Sequence, residues 1–307
     1  IVTLSNKLVY ENQLPCGNEA VANAILNIPK WNQFHTFKLL EYVNTNWLYD
    51  VLNPNRGVIF VDTGAVPALD SGAVKNDKEN MSPDNELTNN NSSTALFNPM
   101  EACIVTMLCH GLLTLGVSSS FIGVISPYRA QLNLMRQYLS SIKIEHTNSP
   151  SIELDTVDHY QGRDKKCIIL SLVHSNTNGN VGTILSDIRR LSVAITRAKQ
   201  KLIIIGNRST MEKCESNGIK QLMNILCECN WIYSLPVAAH FLYPQQVAIV
   251  TKMLSIGSVN QNNNPNSNSN HNPSKSIAHR SVRSIPPATR TILAELDSNI
   301  SISNIII

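Results

Sequence analysis

Three short stretches of this 307-residue chain combine residue types that handle phosphate and nucleic acid. The first is Tyr160-Gln161-Gly162-Arg163-Asp164, in which an amide, a guanidinium and a carboxylate flank a glycine that permits close backbone approach. In the second, Arg189, Arg190, Arg197, Lys199 and Lys201 face the single nearby acid Asp187. Arginine grips phosphate oxygens with a planar fork, and Arg190 and Arg197 stand two helical turns apart on one side. The third is Ser126-Pro127-Tyr128-Arg129, directly after the apolar run 121–125. A basic helix by itself is more often a solvated face than a site, so the turn at 160–164 carries the weight.

The apolar runs 167–173 and 202–205 have the length and branching of strands buried on both faces. Between them, 186–199 reads as a helix with Leu191, Ala194, Ile195 and Ala198 on one apolar face. Strand, helix and strand in this order suggest a crossover in a parallel sheet, whose ligands gather at the carboxyl ends of the strands. The runs 57–62 and 121–125 add strands, and helices follow to about Leu139 and over 219–227. Asn98-Pro99-Met100-Glu101 opens a helix that runs to about Leu115. Asparagine caps, proline suits the first turn, and Glu101 stands where a reciprocal capping box wants an acid. The fold class is therefore α/β, a parallel sheet flanked by helices.

Hydrophobic residues make up 43% of the chain, enough for a real core, whereas a net charge of +3 is too small to argue nucleic-acid binding except through local clusters. The seven cysteines (Cys16, Cys103, Cys109, Cys167, Cys214, Cys227 and Cys229) form no C-x-x-C pair and read as reduced, structural thiols. No metal site is expected from them. There is no signal peptide and no apolar run that would span a membrane. Ile1 in place of an initiating methionine reads as a fragment or an incomplete gene model. From Ser71 to Asn98 the composition turns to Asn, Ser, Asp and Lys, the signature of a flexible insertion. The Asn-rich run 260–272 and the basic stretch 274–290 predict a disordered tail.

Thr156-Val157-Asp158 with Gln161-Gly162-Arg163-Asp164 resembles motif V of superfamily 1B helicases. The stretch from Arg189 to Lys199 resembles motif VI, and Ile125-Ser126-Pro127-Tyr128-Arg129-Ala130-Gln131 resembles motif IV. The spacer His174-Ser175-Asn176 to Gly179-Asn180-Val181-Gly182 is similar to that of the DNA replication ATP-dependent helicase/nuclease family. So is the opening Leu4-Ser5-Asn6-Lys7-Leu8-Val9-Tyr10. The resemblance covers roughly residues 1–235 and implies a RecA-like sheet. On that basis 1–56 lead in from a preceding RecA-like domain, 57–235 form the second one, and 236–307 are tail.

The resemblance also implies roles. Arg197 would be the arginine finger, and Gly162, Asp164, Gln161 and Arg190 would line ATP, with Gly162 near the γ-phosphate and Asp164 on the ribose. Thr156, Ser126, Pro127 and Tyr128 would face nucleic acid, although Tyr128 and Gln131 could equally cap and pack their helix. The cofactors would be ATP and Mg²⁺, with an iron–sulfur cluster only in a nuclease region that has no counterpart here. The partners would be single-stranded or flapped DNA, a single-stranded-DNA-binding protein and replication factors; the compartment would be the nucleus, with mitochondria as a second one.

No glycine is followed by lysine and no aspartate by glutamate, so the phosphate-cradling loop and the usual magnesium-binding acidic pair are not in this sequence. Family members generally carry asparagine where this chain has Ser192 and arginine where it has His174. Three readings follow: the C-terminal part of an ATP-dependent 5'-3' DNA helicase/nuclease of flap processing and end resection, an RNA helicase of the nonsense-mediated-decay type, or a non-catalytic nucleic-acid-binding module.

Overall fold

The two apolar runs pair side by side as the central strands of a six-stranded, all-parallel sheet. The computed structural model of the chain describes residues 1–10, 13, 19, 23–36, 46–66, 96–140 and 152–240. Its strands are β1 (Val58–Asp62), β2 (Ile122–Ile125), β3 (Glu153–Asp155), β4 (Lys165–Ser171), β5 (Ala198–Gly206) and β6 (Ile232–Ser234), in spatial order β3-β2-β4-β5-β1-β6. The short strands β3 and β6 carry too few apolar residues to show in the sequence, and both lie at the edges.

Because side chains alternate across a strand, each central strand feeds both layers. Val58, Phe60, Ile168, Leu170, Leu202 and Ile204 join one apolar cluster with α1 (Val2–Val9), α6 (Ile188–Thr196) and α8 (Asn217–Glu228). The other face is covered by α3 (Pro99–Thr114), which packs on β4 and β5 and is flanked by α2 (Asn46–Leu52) and α4 (Arg129–Ser140). α3 is apolar almost all round because it is enclosed almost all round.

The expected single helix at 186–199 is three elements. α5 (Gly182–Ser186) ends before Asp187, whose carboxylate caps a new helix by accepting the Arg189 N–H at 3.0 Å. α6 then stops at Thr196, because Ala198 onward is taken into the sheet by pairing with β4. A short α7 (Arg208–Lys213), also missed in the sequence, is capped by Asn207.

That boundary reassigns two of the five cations. Lys199 and Lys201 lie on β5, and Lys201 is fully buried. Its ammonium donates to the carbonyls of Asn53 at 2.9 Å and Arg56 at 2.8 Å, just past α2. Burial lowers its pKa to about 8. Lys201 is thus a structural tie between β5 and the segment before β1, not part of a cationic surface.

The expected insertion also ends sooner than composition suggested. Leu96 and Asn98 are buried, while 71–95, the run 260–272 and the rest of the tail beyond 240 lie outside the described residues.

Gly123 on β2 is where the turn after β3 locks onto the sheet. A Cβ there would collide with the Tyr160 hydroxyl and lie 2.9 Å from Ile168 Cδ1. Gly123→Ala is therefore expected to destabilise the fold by about 1–3 kcal/mol through overpacking. A urea midpoint equal to wild type would refute this contact.

Candidate functional site

The turn 156–164 connects the carboxyl end of β3 to the amino end of β4, so it runs the full height of the sheet. Thr156 follows β3 at the carboxyl edge, level with Ser126 after β2, whose N–H donates to Asp155 O at 3.4 Å. Asp164 immediately precedes β4 and Arg197 immediately precedes β5, and Lys165 N–H donates to Arg197 O at 3.0 Å. The expected ligand groups are therefore split. Thr156, Ser126, Pro127 and Tyr128 stand at the carboxyl edge. Gly162, Asp164 and Arg197 stand at the opposite, amino edge, against the expectation that all would gather at the carboxyl ends.

The turn and α6 are laced together along this height. Arg190 lies 3.5 Å from Asp158, and Arg197 Nη1 donates to Asp164 at 2.8 Å. The two-turn spacing thus delivers both arginines to one segment. Arg197 also donates from Nε to Val193 O at 3.1 Å, and Lys199 lies 3.5 Å from the second oxygen of Asp164. The finger candidate is docked on neighbouring residues of this chain, with its side chain 20% exposed.

Gly162 beside it has φ +81°, and nothing lies within 4 Å of where a Cβ would stand. An exposed backbone turn, with Gln161 exposed next to it and two cations close by, fits an anionic phosphate. The same residues do not fit magnesium. The nearest carboxylate, Asp164, is shared by two cations, and among the described residues no three His, Cys, Asp or Glu side chains gather as a metal site.

At the carboxyl edge, Ser126, Pro127 and Tyr128 are buried. The Tyr128 hydroxyl hydrogen-bonds His174 Nε2, and their rings meet edge to face. Gln131, raised above as a possible packing residue, is fully buried and bonds Asn98 and Ser171. Thr156, partly buried, is the member of this group nearest solvent.

A model of the AAA domain family matches residues 1–209. The chain belongs to the AAA domain family. It is 38% identical over 250 residues to the DNA replication ATP-dependent helicase/nuclease DNA2 of Xenopus laevis, covering 80% of this chain and 21% of that protein. To the DNA2 of Saccharomyces cerevisiae it is 36% identical over 243 residues, 79% of this chain and 14% of that one. The human DNA2 is 36% identical over 248 residues, 78% of this chain and 20% of its own length. The chain thus spans between about a seventh and a fifth of the length of these curated relatives.

In this AAA chain Ser192 has a local partner. Its hydroxyl donates back to Ile188 O at 2.6 Å within α6 and so is spent on its own helix. His174 takes Tyr128 as its partner. The six described cysteines are free thiols, four of them buried, and burial raises the Cys167 pKa to about 12. Among the described residues, no helix is long and apolar enough to cross a membrane.

The sequence reading missed a buried polar set behind this edge. Asn98 caps α3 by accepting Glu101 N–H at 3.0 Å, as expected. The reciprocal half of the box does not form, because Asn98 N–H goes to Gln131 Oε1 at 2.8 Å. The Glu101 carboxylate instead accepts the Ser171 hydroxyl at 2.7 Å and the Val173 N–H at 2.9 Å. Val173 has φ +73°, a conformation that costs a β-branched residue about 1–3 kcal/mol. The acid in the first turn was visible in the sequence but was given to the capping box; its actual partners lie some 70 residues away.

Around the turn, Glu153 on β3 is held below the usual carboxylate range, chiefly by Lys165 at 2.9 Å, against partial burial, with Arg163 at 2.8 Å adding to it. A folded-state pKa below the unfolded 4.5 gives stability that is present above that value and lost as pH falls through the folded one. Relative to Glu153→Gln, wild type should be more stable near pH 7, with the gap closing as pH falls below the ordinary glutamate range. A gap in urea midpoint that does not change with pH would disprove the assignment.

Proposed function

We propose that this chain is the second RecA-like half of an ATP-dependent 5'-3' DNA helicase/nuclease acting in flap processing and end resection. It supplies the arginine finger and part of the single-stranded DNA track. The observation that carries this is the 156–164 turn, which joins an anion-ready amino edge to the loops at the carboxyl edge and is tied to α6 by Asp158–Arg190 and Asp164–Arg197. The kinship with the DNA2 helicase/nucleases supports it.

On this reading ATP, with Mg²⁺ held mainly by a P-loop-bearing first domain, provides the phosphoryl group and its negative charge. Arg197 leaves Asp164 to donate to that charge, and Gly162 offers its backbone. Gln161 and Arg190 flank the site, and Asp164, once released, accepts from the ribose. Because the same turn ends at Thr156, a shift at the amino edge moves a residue that faces the DNA backbone. Ser126, Pro127 and Tyr128 contribute by setting the shape of the neighbouring loop, since they are buried. A single-stranded-DNA-binding protein and replication factors are the proposed partners, the nucleus is the proposed compartment with mitochondria as a second, and any iron–sulfur cluster belongs to the nuclease.

Arg197→Ala in the complete helicase should lower ATP turnover by about two orders of magnitude or more, with DNA affinity nearly unchanged. Arg197→Lys should recover little, because a point charge does not reproduce the fork. Normal turnover alongside a sharply lowered melting temperature would make Arg197 a structural residue and sink the assignment.

The chain by itself should bind single-stranded DNA weakly, with affinity falling steeply as salt rises, and should not hydrolyse ATP. Fluorescence anisotropy and a phosphate-release assay on the purified chain test both. No binding at low ionic strength by a folded sample, or DNA-stimulated turnover that follows the protein through purification, would overturn the reading. Competition with single-stranded RNA distinguishes the RNA-helicase alternative.

A further inference from the structure

We propose that Glu101 and Asn98 are positioning residues that hold Val173 in a strained γ-turn, and that this turn sets His174 and Tyr128 at the DNA-facing carboxyl edge. The inference rests on the DNA-track reading above for its functional consequence, but not for its geometry. Val173 stands directly beyond the end of β4, with φ +73° and no exposed surface. His174 N–H donates to Leu172 O at 2.9 Å across it, which closes a three-residue turn of the positive-φ form. A valine does not hold such a turn unaided, because its branched Cβ crowds the backbone there. Two buried side chains hold it from either side. Glu101 accepts the Val173 N–H at 2.9 Å, and the Asn98 amide donates to Val173 O at 3.1 Å.

These partners are themselves fixed. Glu101 is fully buried and also accepts the Ser171 hydroxyl at 2.7 Å. Gln131 joins Ser171 at 3.2 Å to the backbone of Asn98, closing the set. Each partner comes from a different place: the first turn of α3, the first turn of α4 and the end of β4. The turn therefore registers α3 and α4 against the end of β4.

What it delivers is the chain direction at His174. A straight continuation of β4 would carry that residue past the sheet; the turn brings its ring to the Tyr128 hydroxyl instead. The pair then abuts the start of α5, where a Cβ on Gly182 would lie 3.2 Å from the Tyr128 hydroxyl and 3.3 Å from His174 Nε2. Both donors converge on one Glu101 oxygen, Oε2, so the clamp is a single acceptor point, which a side chain of similar length without an acceptor cannot supply.

The test is a double-mutant cycle between Glu101→Met, which keeps the length of the side chain but removes its acceptor, and Val173→Gly in this chain, with single-stranded DNA affinity measured well below the melting temperature and folding checked by circular dichroism. Glycine adopts positive φ without strain, so it removes the need for the clamp. Glu101→Met in the wild-type background should weaken DNA binding about tenfold while the chain stays folded, and in the Val173→Gly background by less than about threefold. Equal losses in both backgrounds, or no loss in a folded Glu101→Met chain, would overturn the proposal.

If the wild-type chain does not bind DNA, the functional reading fails separately, and amide hydrogen exchange decides the turn. Faster exchange at Val173 and His174 in Glu101→Met, with neighbouring β4 amides unchanged, supports the clamp. Unchanged exchange at those two amides refutes it.

Discussion

The structure depends on β4 and β5 burying both of their faces. From Cys167 to Ser171 and from Lys201 to Gly206 no residue reaches solvent appreciably, so neither strand has a side available for polar chemistry. Two consequences follow. The groups proposed to meet ligands lie at the two ends of the strands, and a polar side chain that enters the interior is favoured when it finds partners there. Lys201 finds two carbonyls beyond α2, and Glu101 finds a hydroxyl and an amide at the end of β4. Each buried polar side chain is thereby a fastener between elements distant in sequence.

Segregation to two ends gives the turn after β3 its importance. It is the segment that both begins at the carboxyl edge and finishes at the amino edge beside Arg197, and it is pinned in the middle by Tyr160 against Gly123. Its ion pairs with α6 lie at the surface, where each contributes little to stability. Weak pairs suit a contact that a phosphate can displace, since an anion competes directly with Asp164 for the guanidinium. The buried set at Glu101 has the opposite character. Its groups are shielded from water, where an unmet partner is costly, so it suits a fixed frame.

Much of this was legible in the sequence, and the errors have physical causes. The apolar runs at 57–62, 121–125, 167–173 and 202–205 read as strands because short runs rich in branched apolar residues suit strands buried on both faces. The Asn98 cap read correctly because capping is a contact over three residues. Spacing placed Arg190 and Arg197 on one side, and they do reach one segment. The single helix at 186–199 was wrong because a 3.6-residue periodicity continues across Asp187 and Arg197 without revealing that Asp187 caps or that Ala198 is claimed by the sheet.

The sequence by itself determined the class of fold, the order of the motifs and the AAA kinship, since these are written in local periodicity and in the identity of short stretches. The tertiary structure alone decided which edge of the sheet each residue occupies, that Lys201 is interior, that Glu101 serves Val173 and not its own helix, and that Tyr128 packs on His174. Each of these depends on a partner tens to more than a hundred residues away. Strand order and register create such neighbours, and no local pattern encodes them.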